Sequence, residues 1–369
     1  MKTKISIFLF FFALYTSKIS NTSACTGLRL IAADNGVVIG RTLEFGLDPQ
    51  SEILVIPAGT EIFNSFSDKS NGITFTSKYG IVGANGFGFD VHVDGINEAG
   101  LYVGGFYFPG YASYNLPDPT KYDISMAPED YGTWLLANFS SVEEVKANFD
   151  KVFLVENPIE AIGGMSFPAH FVVHDKSGAC VVIEPLNRTL VIYDNPFGVF
   201  TNSPTFDWHL TNLNNYINLS VVNVEPIDLK GQKLSAFGEG SGLHGLPGDG
   251  TPTSRFIRAT VFSQSAVQLA TAEQTVSQTF HIMNNFDIPV GSVRDIISTK
   301  DGKQVVNEIT SWTSVTDLKN LTYSFKTYQG QKVFQVNLKK ALEKAGKGVQ
   351  HIKMNSDFII QDISTDFIK

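Results

Sequence analysis

Cys25 and Cys180 are the only two cysteines of the chain, and Cys25 stands where a thiol can be most useful. It follows Asn21-Thr22-Ser23-Ala24 directly and opens the run Cys25-Thr26-Gly27-Leu28-Arg29. A cut after Ala24 would make it the first residue of the mature protein and give it a free α-amine. Amide hydrolysis needs a nucleophile and a base that takes its proton and hands it to the leaving amine. An α-amino group titrates at about 7.7–8.0, whereas a lysine at about 10.4 stays protonated at neutral pH. A thiol with its own amine beside it needs no separate His–Asp pair. Other readings compete: an ordinary cysteine near an export cut, a disulfide with Cys180, or the lipidated cysteine of a lipoprotein. The last fits poorly, because Thr22 stands where Leu or Val is usual and the apolar run has already ended at Tyr15.

The first 24 residues read as a signal peptide. Lys2 and Lys4 give a basic start, Ile5–Tyr15 is an apolar run too short to span a bilayer, and Thr22 and Ala24 are small residues placed for a peptidase. Export follows as the expectation: periplasmic or secreted, lysosomal or extracellular in a eukaryote. Removing the leader, with its Lys2, Lys4 and Lys18, leaves 25 bases against 36 acids, a net charge of −11. No basic run remains to neutralise a phosphate backbone, which argues against nucleic acid as a partner. No later apolar stretch is long enough for a membrane helix, so no membrane partner is expected once the leader is gone.

The elements that must position Cys25 begin with a hairpin. Cys25–Asp34 and Val37–Phe45 read as strands, and Asp34-Asn35-Gly36 is a two-residue turn signal. That pairing sets Cys25 near Arg41 and Glu44. Arg41 is a candidate cation beside the thiol; a surface pair with Glu44 is the plainer reading. Further strands read at 53–56, 73–76, 89–93, 101–108, 170–173, 179–183, 189–193, 199–201, 311–316, 322–327 and 332–336. Helices read at 132–139, from the capping box at Ser141 to about 152, after Pro204 and Ser254, at 272–285 and at 338–345. Strands outnumber helices and hairpins outnumber crossovers, which points to one α+β domain over residues 25–369 with large antiparallel sheets. His170 and His174 share a strand face, but no partner ligand stands at a recognisable spacing; neither metal nor cofactor is expected.

Cys25-Thr26-Gly27-Leu28-Arg29 and Gly40-Arg41-Thr42-Leu43-Glu44 resemble the start of the choloylglycine hydrolase family, which includes bile salt hydrolases and penicillin V acylases. Asn97-Glu98-Ala99-Gly100-Leu101, Phe108-Pro109-Gly110-Tyr111, Thr201-Asn202-Ser203-Pro204-Thr205-Phe206 and His244-Gly245-Leu246-Pro247-Gly248-Asp249, leading to Ser254-Arg255-Phe256, extend the match in order. The resemblance implies a four-layer αββα fold of the N-terminal-nucleophile hydrolases, with two stacked antiparallel sheets, and a homotetramer. It implies Cys25 as nucleophile and, through its amine, base; Arg41 as support for the thiolate; Asn202 as an oxyanion donor; and Arg255 as a second cation. By residue type alone, Asn202 before a proline reads equally as a turn or cap residue. Two positions depart from the family pattern. Glu44 replaces the usual Asp that orients the nucleophile and its amine. Tyr107 replaces the Asn common in bile salt hydrolases and looks like the penicillin V acylase branch; a phenol there could join the oxyanion site with one donor. The implied substrates are small-molecule N-acyl amides: conjugated bile acids, phenoxyacetyl penicillins or N-acyl homoserine lactones. Phe106, Tyr107, Phe108, Phe206 and Trp208 are candidates to line an apolar acyl pocket. A non-catalytic exported binding protein on the same scaffold, with Glu44 marking lost activity, is the reading from another class.

Overall fold

Two antiparallel sheets hold most of the chain in a computed structural model that describes residues 24–160, 164–299, 302–354 and 356–364. The leader reading falls on residues 1–24, of which only Ala24 is among the described residues. One sheet runs β1 (Cys25–Ile31), β2 (Val37–Phe45), then the strands Gly302–Asp317, Thr322–Thr327 and Phe334–Asn337, with Val293–Thr299 paired to the near half of Gly302–Asp317. The other has eight strands in the order Thr189–Asp194, Cys180–Leu186, Ala169–Asp175, Leu101–Tyr107, Asp94–Asn97, Ile81–Ala84, Glu52–Ile56 and Gln350–Lys353.

Strand alternation explains the layers. Tyr102, Phe106, Val172 and Val182 of the eight-stranded sheet share one buried cluster with Ile39, Leu43, Trp312 and Tyr323 of its neighbour. Each fully buried large apolar side chain contributes about 1.5–3 kcal/mol. The alternate residues Leu101, Val103, Phe171, Val173, Val181 and Ile183 face outward and pack under α1 (Tyr131–Asn138) and α2 (Val142–Lys146). Helix α3 (Phe206–Asn212) follows the Asn202 segment. On the far side α4 (Pro252–Ser265) lies on β1 and α5 (Ala272–Met283) on β2, while α6 (Leu338–Lys344) sits at the edge against Glu52–Ile56. Helices, two sheets and helices make the four layers that the resemblance implies. Local signals set the helix starts: Ser141 caps α2 by accepting from Glu144 N, Thr271 caps α5 by accepting from Gln274 N, and Pro252 opens α4.

Glycines on β1 and β2 let the neighbouring layers come close. A Cβ on Gly27 would lie 2.9 Å from Phe106 Cζ, and one on Gly40 would lie 2.5 Å from Thr279 Cγ2 of α5. Gly27 thus lets the Phe106 ring rise against β1 on the inner face, and Gly40 lets α5 settle on the outer one.

Several expected elements differ in the structure. Strand β1 ends at Ile31, so the hairpin loop spans residues 32–36, with Asn35 at φ 62° and Asp34 Oδ1 accepting from Gly36 N. Residues 89–93 form a loop, and the strand is Asp94–Asn97; Phe87 and Gly88 take positive φ and turn the chain before it. Residues 199–201 make a single bridge, Phe200 to Gly27, through Gly27 N–Phe200 O at 2.7 Å and Phe200 N–Gly27 O at 2.9 Å. The α2 helix stops at Lys146, and the helix after Ser254 is the 14-residue α4, begun at Pro252. The strands Ile81–Ala84, Val293–Thr299 and Gln350–Lys353 have no counterpart in the sequence reading, and Gly302–Asp317 extends 311–316 by nine residues at its start.

Candidate active site

Strand register places the first members of the site. Cys25 stands opposite Leu43 and Thr26 opposite Thr42, so Cys25 shares the inter-sheet face with Arg41, Leu43 and Phe45. Thr42 and Glu44 point to the other face, beneath α4. The backbone of Ala24 continues the ladder, its carbonyl accepting from Glu44 N at 2.8 Å, and Cys25 is buried.

The Arg41 guanidinium lies between the sheets, over Phe106 at 4.7 Å on one side and Trp312 at 5.1 Å on the other. Nη2 donates to Gly105 O at 2.8 Å and approaches Cys25 Sγ at 3.6 Å; Nη1 donates to Val93 O at 3.1 Å. Burial works against this charge, but Cys25 and Asp94 outweigh it and raise the arginine above its ordinary value. The thiol shows the converse balance. Burial pushes Cys25 up, Arg41 pulls it down, and the net is a thiol harder to ionise than usual.

Asn202 connects the thiol residue to α4. Its Oδ1 accepts from Cys25 N at 2.6 Å and from Arg255 Nη2 at 2.8 Å, while its Nδ2 donates to Tyr107 O at 2.8 Å. Arg255 is buried, and its Nη1 donates to Cys25 O and to Thr26 Oγ1 at 2.8 Å. The nitrogen of Cys25, its carbonyl and its thiol are therefore held by three different side chains: Asn202, Arg255 and Arg41.

The peptide that carries Asn202 is itself anchored. His170 Nε2 lies 3.0 Å from Thr201 O, and His209 Nε2 lies 2.9 Å from Asn202 O. A carbonyl only accepts, so both Nε2 atoms carry hydrogen. Burial drives both rings toward the neutral form, His209 to about 4. A neutral His170 then accepts at Nδ1, 3.1 Å from Glu184 Oε1, and the hydrogen there must come from Glu184. Burial raises that carboxyl to about 8, the direction this arrangement requires. Glu184 Oε1 also accepts from Phe206 N at 3.0 Å, which ties the start of α3 to the same cluster.

Two expectations change. Glu44 acts on Cys25 through its charge, which raises the thiol, rather than through a hydrogen bond found in the uncut chain. It faces Arg255 and Thr310 from the opposite side of β2, with Oε1 at 3.5 Å from Thr310 Oγ1, and burial raises it to about 8 against the pull of Arg255. Tyr107 meets Asn202 through its main-chain carbonyl, an acceptor that cannot stabilise an oxyanion, while its ring packs on Phe45 at 6.0 Å and Phe167 at 5.9 Å. The apolar pocket also differs from expectation. Phe106, Phe108 and Phe206 are core, and Trp208 is exposed. An apolar pocket is walled by Phe87, Phe89, Val91, Phe167 and Phe171; its lining includes Val93 and Gly105, whose carbonyls hold Arg41, but not Cys25, Arg41 or Asn202 themselves. Sequence reading missed this pocket, the two carbonyls and the buried Asp94. An acid inside the run Val91-His92-Val93-Asp94-Gly95-Ile96 was the available signal for Asp94.

The described residues include no group of three or more His, Cys, Asp or Glu side chains arranged to hold a metal ion. A thiol flanked by one cation, with its own nitrogen fixed by an amide, is equipped for acyl transfer.

Known proteins share this arrangement's frame. Residues 25–346 match the family model for linear amide C–N hydrolases of the choloylglycine hydrolase family. A bile salt hydrolase/transferase of Clostridium perfringens is 34% identical over 344 residues, covering 92% of this chain and all of that protein. A penicillin V acylase of Pectobacterium atrosepticum is 26% identical over 322 residues, covering 82% of this chain and 77% of its own. A solved structure of a conjugated bile acid hydrolase variant from Clostridium perfringens superposes with a TM-score of 0.79 at 33% identity, over 92% of this chain and 99% of that one. The chain is a hydrolase of carbon–nitrogen bonds in linear amides and belongs to the choloylglycine hydrolase family.

Proposed function

We propose that the chain is exported, cut after Ala24, and acts as an N-terminal-cysteine amidase on N-acyl substrates of the conjugated bile acid type. The observation that carries this reading is the pairing at Cys25: one residue presents its thiol to Arg41 and its nitrogen to Asn202 Oδ1 at 2.6 Å. In the uncut chain that nitrogen is a peptide amide and has no lone pair to offer a proton. The cut turns it into an amine titrating near 7.7–8.0, held by Asn202 next to the sulfur.

The reaction then balances. The sulfur attacks the amide carbon, its proton passes to the α-amine, and the C–N bond breaks as that proton moves to the leaving amine. Water adds to the acyl-thioester with the amine as base, releasing the acid and restoring the thiol. Arg41 stabilises the thiolate, and Arg255 holds Asn202 and the Cys25 carbonyl in register. An NH2 group carries two hydrogens; Tyr107 O takes one from Asn202, and the second is assigned to the oxyanion.

The lining of the pocket that includes Val93 and Gly105 is apolar, as a hydrocarbon acyl group requires, and its volume of about 50 Å³ has to widen to admit a bulky one. Its ring content, Phe87, Phe89 and Phe167, with Tyr107 against Phe167, favours a second reading in which the acyl group is aromatic, as in penicillin V. The test measures product release from taurocholate, penicillin V and an N-acyl homoserine lactone side by side, on protein whose intact mass is checked. The expected result is a chain starting at Cys25 with a free amine and fastest release from taurocholate. A chain starting elsewhere, an acylated Cys25, or full turnover by Cys25→Ser would overturn the mechanism.

A further inference from the structure

Behind Arg41, on the side away from the thiol, lies a fully buried carboxylate that the family match and the sequence reading leave without a role. Asp94 opens a central strand of the eight-stranded sheet. Its Oδ2 accepts from Ser314 Oγ at 2.8 Å and from Tyr102 OH at 3.2 Å, and its Oδ1 accepts from Tyr323 OH at 2.6 Å. Arg41 Nη1 stands 3.9 Å from Oδ2. Tyr102 belongs to the same sheet, whereas Ser314 and Tyr323 belong to the other, so the carboxylate pins the two sheets together at the depth of Arg41. Ser314 is also the residue opposite Arg41 in the ladder between β2 and Gly302–Asp317.

Three hydroxyls around one carboxylate are more than packing requires. They hold a charge in a place where an unpaired one would be very unfavourable. Burial keeps both phenols protonated, so they serve as donors only. Arg41 needs a fixed direction. Its two carbonyl partners, Val93 O and Gly105 O, flank Asp94 and Gly104 in the chain, and Asp94 stands opposite Gly104 in the sheet. The arginine's cradle and its counter-charge are thus one piece of structure. The other titratable groups facing the thiol are the α-amine of Cys25 itself in the processed chain, present alike in wild type and variants, and Arg255 and Glu44 beyond the β1–β2 layer, with Glu308 beside them.

We propose that Asp94 is a positioning residue: its carboxylate, fixed by Tyr102, Ser314 and Tyr323, aims the Arg41 guanidinium at Cys25 and offsets part of its charge, and so sets the acidity of the thiol. This rests on Cys25 as the nucleophile only for its effect on turnover. A bare arginine would make the thiolate easier to form but less nucleophilic, since nucleophilicity falls with thiol pKa. Asp94 keeps the sulfur between those limits. The three hydroxyls grade the effect, because a carboxylate that loses a donor leans harder on Arg41.

The test is the pH midpoint of Cys25 alkylation by iodoacetamide on the processed protein, read by mass of the N-terminal peptide, together with kcat and KM. Alkylation needs no turnover, so a failure of the nucleophile reading, seen as an active Cys25→Ser, stays separate from a failure here. Asp94→Asn is expected to lower the midpoint by about one unit, a tenfold gain in thiolate below both midpoints, and to reduce kcat at least ~10-fold with KM within ~3-fold. Tyr323→Phe is expected to move the midpoint the opposite way, by a few tenths of a unit. Loss of a merely structural contact would lower thermal stability and leave both midpoints at the wild-type value, and that result overturns the proposal. Movement of both midpoints in one direction overturns it as well. If Asp94→Asn does not fold, Tyr323→Phe and Ser314→Ala decide: an upward midpoint supports the role and an unchanged one refutes it.

Discussion

Replacing Asn202 with Ala tests the centre of the site most severely, because three hydrogen bonds end on that one side chain and the proposed oxyanion contact would be a fourth. Cys25 N and Arg255 Nη2 lose their acceptor, Tyr107 O loses its donor, and the hydrogen assigned to the oxyanion disappears. Loss of an oxyanion donor reduces kcat by about 10²–10³, or about 2.7–4 kcal/mol. The stability change has a different source. A buried polar group left without a partner is unfavourable by about 1–3 kcal/mol, more for a charged one, and Cys25 N and Arg255 Nη2 would lose their shared acceptor. Arg255 keeps Cys25 O, Thr26 Oγ1 and Gly250 O, which limits the damage. The expected variant therefore folds with reduced thermal stability, starts at Cys25, and loses two to three decades of kcat with little change in KM. The assay is glycine or taurine release under saturating substrate, with intact mass and a melting curve on the same sample. A folded, correctly cut Asn202→Ala with kcat within about threefold of wild type would refute the assignment of Asn202 to the transition state. A rise in KM at unchanged kcat would move Asn202 to substrate binding instead.

Three further outcomes follow from the geometry. Glu44, raised by burial to about 8, is neutral in the folded protein over a range where the unfolded chain is ionised; its contribution to stability is complete below about pH 4.3 and is lost as pH rises through 8. Glu44→Gln should therefore gain thermal stability relative to wild type at pH 8 compared with pH 5, and a difference independent of pH would contradict the burial argument. His170→Phe removes the donor to Thr201 O and the partner of Glu184; the expected result is a stability loss of about 1–3 kcal/mol by denaturant titration together with a lower kcat. Cys180 is a free, buried thiol 3.5 Å from His174 Nε2, raised by burial beyond the range of reactive thiols; Cys180→Ala should leave kcat unchanged, and thiol titration of the denatured wild type should count two free sulfhydryls.

The sequence made some of this legible and hid the rest for identifiable reasons. Cys25 and Arg41 could be placed together because a hairpin signal and period-2 alternation are local facts. The same alternation, carried three residues on from Arg41, puts Glu44 on the opposite face of β2, where Arg255 and Thr310 meet it. Asn202 reads as a turn residue until Phe200 is seen bridged to Gly27, a pairing between residues 173 positions apart that no local pattern announces. Val93 O and Gly105 O act through the main chain, where residue type carries no information. The near half of Gly302–Asp317 is largely exposed and rich in polar residues, so neither alternation nor an apolar run marked it as strand.

The span of the contacts at Arg255 has a consequence for how the protein is made. Its guanidinium closes on Thr26, 229 positions earlier, and on Asn202, 53 positions earlier. The inner edge of β2 must wait longer still, since its partner strand ends at Asp317. During synthesis the β1–β2 hairpin leaves the ribosome first and carries an unpaired, apolar edge until nearly the whole chain has emerged. Long-range pairing of this kind is slow to form and open to misassembly. Recovery of hydrolysis after dilution from denaturant should therefore trail the recovery of backbone signal, and the lag should lengthen as protein concentration rises.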